Sequence, residues 1–202
     1  MALITTKYGT AVLARRSAEA LLHAVRFASE SEAALNTFIT INLNVLGIAS
    51  VEATAFFQRL REKIARAWAY KRANHMPTLG PLRDCYTHEN PGSDMPHVHW
   101  LISIPPNYRG EFLNGLEKRL VKMTNVTELG NALDVQSIGA PGTLAKYLVK
   151  GVDPCFKDYF HLANVTDEGR VFGRRMGVSR SLGHAARAAA GWKRRRSTSR
   201  LC

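Results

Sequence analysis

The stretch His97-Val98-His99-Trp100-Leu101-Ile102-Ser103-Ile104, followed by Pro105-Pro106, decides how this chain folds. It is short, rich in β-branched and aromatic residues, and ends where no strand can continue, so it reads as a strand. Side chains on a strand alternate between faces. Val98, Trp100, Ile102 and Ile104 therefore form one apolar face. His97 and His99 share the other, with Leu101 and Ser103.

Working outward, residues 83–89 read as a second strand, and the turn-rich Asn90-Pro-Gly-Ser-Asp-Met-Pro96 joins the two as a hairpin with a longer loop. Residues 37–43 read as a strand with Ile39, Ile41 and Leu43 on one side and Phe38, Thr40 and Asn42 on the other. Residues 51–72 carry an apolar stripe, Ala53, Phe56, Phe57, Leu60, Ile64, Ala67 and Trp68, at helical spacing, with Arg59, Arg61, Lys63 and Arg66 mostly off it. The spacing also predicts helices over 8–32 and 110–123, a strand over 132–138, and a short helix over 144–150. Thr143 is the N-cap of that short helix and Gly151 its stop. The order α-β-α-β-β-α-β-α predicts an α+β fold, an antiparallel sheet with helices on one face.

The chain has 202 residues and 28 Lys/Arg against 16 Asp/Glu, a formal charge of +12. Such a field favours a polyanion, nucleic acid or an anionic membrane surface. From residue 151 onward there are 11 Lys/Arg and 4 Asp/Glu, a net of +7, and Lys193-Arg-Arg-Arg196 opens what reads as a disordered basic tail. No apolar run approaches the ~20 residues a bilayer crossing needs, and Met1 to Thr10 lacks a signal-peptide pattern. Cys85, Cys155 and Cys202 stand far apart, so neither a disulfide framework nor a CxxC pair is expected. The expected compartment is the cytoplasm.

Two imidazoles one strand step apart can chelate a divalent metal and leave positions open. The hairpin brings the end of the preceding strand, Thr87-His88-Glu89, close to His97. His88 and Glu89 point to opposite faces, so only one qualifies as a third ligand. Glu89 is favoured, because a hard oxygen suits Mg²⁺ or Mn²⁺. Downstream, Tyr147 and Lys150 are three apart on the predicted short helix and share a face. A phenol beside an ammonium, near a divalent cation, fits phosphodiester chemistry with the tyrosine as nucleophile.

Together, Phe38-Ile-Thr-Ile-Asn-Leu43, His97-Val-His99-Trp-Leu-Ile and Tyr147-Leu-Val-Lys150 resemble the three ordered motifs of the HUH endonucleases, the rolling-circle replication initiators of plasmids and phages, with relaxases and some transposases as relatives. The single tyrosine resembles the one-tyrosine branch. The resemblance implies a ferredoxin-like antiparallel sheet carrying the histidines on a central strand. It also implies a metal held by His97, His99 and Glu89, attack by Tyr147 on single-stranded or hairpin origin DNA, a 5′-phosphotyrosine link, and a free 3′-OH for a host polymerase. Lys150 either orients the phosphate or assists the leaving oxygen. No GxxxxGK[ST] motif occurs, so a separate helicase is implied. The parts expected are an N-terminal helical extension over 1–35, a nuclease domain over 36–152, a basic DNA-contacting extension over 153–192 and the tail over 193–202.

Arg170, Arg174, Arg175 and Arg180, with Lys146 on the tyrosine helix, are the expected DNA contacts, and Phe172 or Trp192 could stack on a base. Two other classes use the same features. A binding module without catalysis needs no metal and forms no adduct. A metal-dependent hydrolase releases free ends without Tyr147.

Overall fold

In the computed structural model, which describes residues 9–31 and 34–193, the 97–104 stretch forms the middle strand of a five-stranded antiparallel sheet. The strands are β1 (Thr37–Asn42), β2 (Asp84–Glu89), β3 (His97–Ile102), β4 (Leu133–Ser137) and β5 (Met176–Val178), in the order β4-β1-β3-β2-β5. The helices are α1 (Arg15–Ser29), α2 (Ala53–Asn74), α3 (Pro106–Thr124), α4 (Pro141–Leu148) and α5 (His184–Ala189). Each strand of the expected β2–β3 hairpin ends within two residues of its expected limit.

The helices cover both faces of the sheet, not the one face expected. Ile39, Ile41, Val98, Trp100 and Ile102 pack with α2 and α3 residues such as Phe57, Leu60, Phe112 and Leu116. Phe38, Cys85 and Leu101 pack with α1 and α4 residues such as Leu21, Val25, Ala145 and Leu148. The reason lies in the strands. Phe38 and Leu101 make the second face apolar as well, and the apolar side of α1 is what hides it from water. A polar anchor crosses the first layer. Asp84, fully buried, takes a bidentate pair from Arg61 at 2.6 and 2.9 Å and a 2.8 Å hydrogen bond from Trp100 Nε1.

Helix limits moved for local reasons. The 8–32 helix is shorter, Arg15–Ser29, because Thr10 and Leu13 form extended bridges to Val171 and Val152 instead. Its expected ends at Tyr8 and Glu32 lie outside the described residues. Helix α3 begins at Pro106, a residue that stops a strand yet suits a first helical turn. It closes on Asn125 in the left-handed region, φ 57°. Helix α4 begins at Pro141, so Thr143 lies inside it rather than capping it, and ends at Leu148.

The segments read as 1–35, 36–152 and 153–192 share one core. Leu13, Leu21, Phe160, Leu162 and Leu182 pack with Phe38 and Leu101, and β5, which the periodicity did not reveal, adds a fifth strand beside β2. The basic tail after Lys193 lies outside the described residues. Among the described residues, no helix is long and apolar enough to cross a membrane.

Candidate metal centre and nucleophile

Antiparallel pairing sets Glu89 directly opposite His97 at the open end of the hairpin. Opposed residues project to the same face, and His99 shares that face two residues along. The result is a buried group in which one ligand atom from each of Glu89, His97 and His99 lies within 4.8 Å of the others. Glu89 Oε2 stands 3.1 Å from His97 Nε2 and 3.3 Å from His99 Nε2. His88 pairs with Val98 and faces the other way, edge-on to the Phe57 and Tyr86 rings. It takes no part in this group.

The outer atoms of both imidazoles are already engaged. His97 Nδ1 donates to the Met95 carbonyl at 3.1 Å, an oxygen that can only accept. His99 Nδ1 is 3.0 Å from Thr40 Oγ1, on the strand position paired with His99. The Phe38 ring lies nearly parallel to His99, 5.3 Å away at 19°. With Nδ1 engaged, each ring turns its Nε2 to the shared space, where it donates to Glu89; loss of that proton frees the lone pair for a metal, the arrangement metal-ligating histidines use. Two imidazole nitrogens and a carboxylate oxygen, converging and leaving positions open, fit a divalent cation.

Tyr147 reaches this group from α4. Its hydroxyl is 3.4 Å from His99 Nε2, and its side chain is 41% exposed, open to a substrate. Lys150 follows the helix end rather than lying within it. A 3.2 Å hydrogen bond from its backbone N–H to the Tyr147 carbonyl continues the helical turn. Its ammonium therefore still meets the tyrosine, 3.9 Å from the ring centroid, and lies 3.1 Å from Glu89 Oε2.

Glu168 was not foreseen. It is buried, 3.2 Å from Lys150 Nζ, and accepts from Thr166 Oγ1. Its place follows from Gly169, which sits at φ +66° where an added Cβ would collide with the Asn90 carbonyl. Asn90 donates from its backbone to the Glu168 carbonyl at 2.8 Å and from its side chain to the Arg170 carbonyl at 2.9 Å. The loop is thus zipped to the end of β2. The only sequence signal was the Glu168-Gly169 pair, which reads as an ordinary turn.

The charges are interlocked. Burial opposes ionisation of Glu89, but hydrogen bonds from His97 and His99 outweigh it and hold the carboxyl well below its usual range. Burial also opposes a charge on His97, yet its hydrogen bond to Glu89 wins and raises its pKa. His99 is more deeply buried, and there desolvation wins and lowers it. For Lys150, a hydrogen bond to Tyr147 and the pull of Glu89 overcome desolvation, so it stays cationic. Burial, then the neighbouring Glu89, pushes Glu168 up.

The expected DNA contacts divide. Arg170, Arg174, Arg180 and Lys146 are exposed. Arg175 is not a surface contact. It is 5% exposed and donates to the Thr10 and Gly169 carbonyls, because the loop folds it inward beside Glu89 and Glu168. Trp192 is also committed internally, edge-on to His23 and Phe27 with Nε1 donating to Glu30 at 2.6 Å. Phe172 is half-buried.

No protein family, curated protein or solved structure matches the chain.

Proposed function

We propose that this chain is a metal-dependent nickase and strand-rejoining enzyme for single-stranded DNA, of the HUH endonuclease type with a ferredoxin-like sheet. One observation carries the reading: the Tyr147 hydroxyl lies 3.4 Å from His99 Nε2, within the Glu89–His97–His99 group, with the Lys150 ammonium against the same ring. A phenol exposed to solvent beside three residues that could hold a metal supports the reading of Tyr147 as nucleophile toward a phosphodiester.

Glu89, His97 and His99 would hold Mg²⁺ or Mn²⁺, which when bound supplies positive charge to the scissile phosphate. Tyr147 Oη gives its proton to solvent and forms the bond to phosphorus, the bond to the 3′ oxygen breaks, and that oxygen takes a proton from solvent, leaving a 5′-phosphotyrosine and a 3′-OH. Lys150, held cationic, offers charge to the phosphate rather than a proton to the leaving oxygen. With neutral histidines, Glu89, Glu168, Lys150 and Arg175 sum to zero charge. A divalent cation therefore leaves the cleft net positive, matched to a phosphodiester. Because the phosphotyrosine keeps the bond energy, the reverse reaction rejoins ends. The substrate is origin DNA as a single strand or hairpin. A polymerase extends the 3′-OH, a separate helicase opens the duplex, and the role is initiation of rolling-circle replication.

The test is a denaturing gel of randomised, labelled single-stranded oligonucleotides with Mn²⁺, with EDTA, and with Tyr147→Phe. A protein-linked band present only with Mn²⁺ and the native tyrosine is expected. Cleavage without an adduct that persists in Tyr147→Phe would make the chain a metal-dependent hydrolase. Binding with no cleavage would make it a binding module.

A further inference from the structure

The face of the molecule away from Tyr147 carries a second concentration of charge. Helices α2 and α3 pack on the opposite side of the sheet from Glu89, His97 and His99. Between their outer surfaces runs an open groove of about 660 Å³. Lys63 and Arg66 line it from α2, and Lys118, Arg119 and Lys122 from α3.

Two features set these five cations apart from an ordinary solvated helix face. First, none has a carboxylate within ion-pairing distance among the described residues. The adjoining groove toward Tyr70 and Tyr108 differs, since there Lys71 is neutralised by Glu111 at 2.6 Å. Second, the two rows line one groove from its two helices, so their like charges face a common space and repel each other. Arg119 folds back to donate to the Gly115 carbonyl, which holds its charge in the groove. Uncompensated like charge in a concave surface is complementary to a polyanion.

We propose that this α2–α3 groove binds the phosphate backbone of double-stranded DNA, as a surface separate from the tyrosine centre. The lining has no aromatic side chain. A single strand without base readout is gripped by stacking as well as charge, whereas a duplex offers only its backbone to such a lining. The contacts carry no base information and so position the duplex without reading it. This assignment does not rest on the nicking reading, because the sheet separates the two surfaces.

The test compares two full-length variants of equal formal charge. One is Lys118→Gln/Lys122→Gln. The other is Arg16→Gln/Arg72→Gln, two exposed cations outside the groove. Binding of a labelled duplex of arbitrary sequence is followed by anisotropy between ~50 and 200 mM NaCl. The groove variant is expected to bind at least ~10-fold more weakly, with a log–log salt slope shallower by ~1–2, at ~0.9 per phosphate lost. The scattered variant is expected to change the slope by less than ~1. Equal effects of the two variants would overturn the proposal. So would a larger loss for oligo-dT than for the duplex, or a loss confined to phosphatidylserine vesicles. All four positions are exposed, so circular dichroism and thermal unfolding should match the native chain. The double variant Lys63→Gln/Arg66→Gln repeats the comparison from the α2 side of the groove.

Discussion

Glu168 Oε1 lies 3.2 Å from Lys150 Nζ. Glu89 Oε2 lies 3.1 Å from the same nitrogen, so one ammonium serves two nearly buried carboxylates. Lys150→Met leaves both without it. Breaking a fully buried pair costs ~3–5 kcal/mol; because the Lys150 side chain keeps 18% of its exposure, about 1–3 kcal/mol is expected. Glu168→Gln added to Lys150→Met should recover part of that loss, a coupling above ~0.5 kcal/mol. Urea unfolding of the four proteins in EDTA measures it, and strict additivity would deny the pairing.

Thr40 Oγ1 sets the His99 ring through its 3.0 Å contact with Nδ1. Thr40→Val keeps the shape and removes the oxygen. Mn²⁺ affinity, read by calorimetry, should fall ~10–100-fold with the fold unchanged. Excess Mn²⁺ should raise the melting temperature of the native chain by several degrees, reversibly with EDTA, and should fail to do so for His97→Ala. His97 holds its proton to higher pH than an ordinary histidine, so the metal must displace it. Affinity should therefore increase as pH rises through and above ~6.5.

His88 is packed against Phe57 and Tyr86, and burial pushes its pKa down to about 3. In the unfolded chain it titrates near ~6.5. Between these values the unfolded state binds the extra proton, so stability rises with pH. The neutral imidazole's contribution is complete above ~6.5 and lost on acidification, by up to ~1.4 kcal/mol per pH unit. Unfolding free energies from pH 7 to pH 4 should show a shallower slope in His88→Leu than in the native chain. Parallel slopes would mean that another group carries the acid sensitivity.

Arg175 and its neighbours should separate stability from DNA binding. Arg175→Met removes donors to the Thr10 and Gly169 carbonyls and should cost about 1–3 kcal/mol in thermal or urea unfolding. Alanine at Arg170, Arg174 or Arg180, all exposed, should change stability by less than ~0.5 kcal/mol. If these arginines contact phosphates, each such change flattens the salt dependence of single-strand binding by ~0.7.

Much of the candidate site was legible from local pattern. The period-2 alternation of 97–104 placed His97 and His99 on one face, and the hairpin loop brought His88 and Glu89 close to His97; only the strand register decided that Glu89, not His88, stands opposite His97. The three-residue spacing of Tyr147 and Lys150 survived even though α4 ends between them, because one backbone hydrogen bond continues the turn. Thr40 was visible only as an inward residue of a central strand. Its role depends on which residue the neighbouring strand sets beside it.

By itself, then, the sequence determined the α+β class, four of the five strands to within two residues, and the two faces of β1 and β3. These follow from hydrophobic periodicity and from Pro and Gly punctuation, which act over a few residues. Only the tertiary structure decided that helices cover both faces, that β5 joins β2, that Arg175 turns inward and that Glu168 meets Lys150. Those outcomes depend on contacts between residues far apart in the chain, such as the approach of Gly169 to the Asn90 carbonyl and the burial of Leu21 with Leu101. Long-range packing selects among arrangements that local pattern leaves equivalent, because the gain from burying both sheet faces appears only when the distant segments meet.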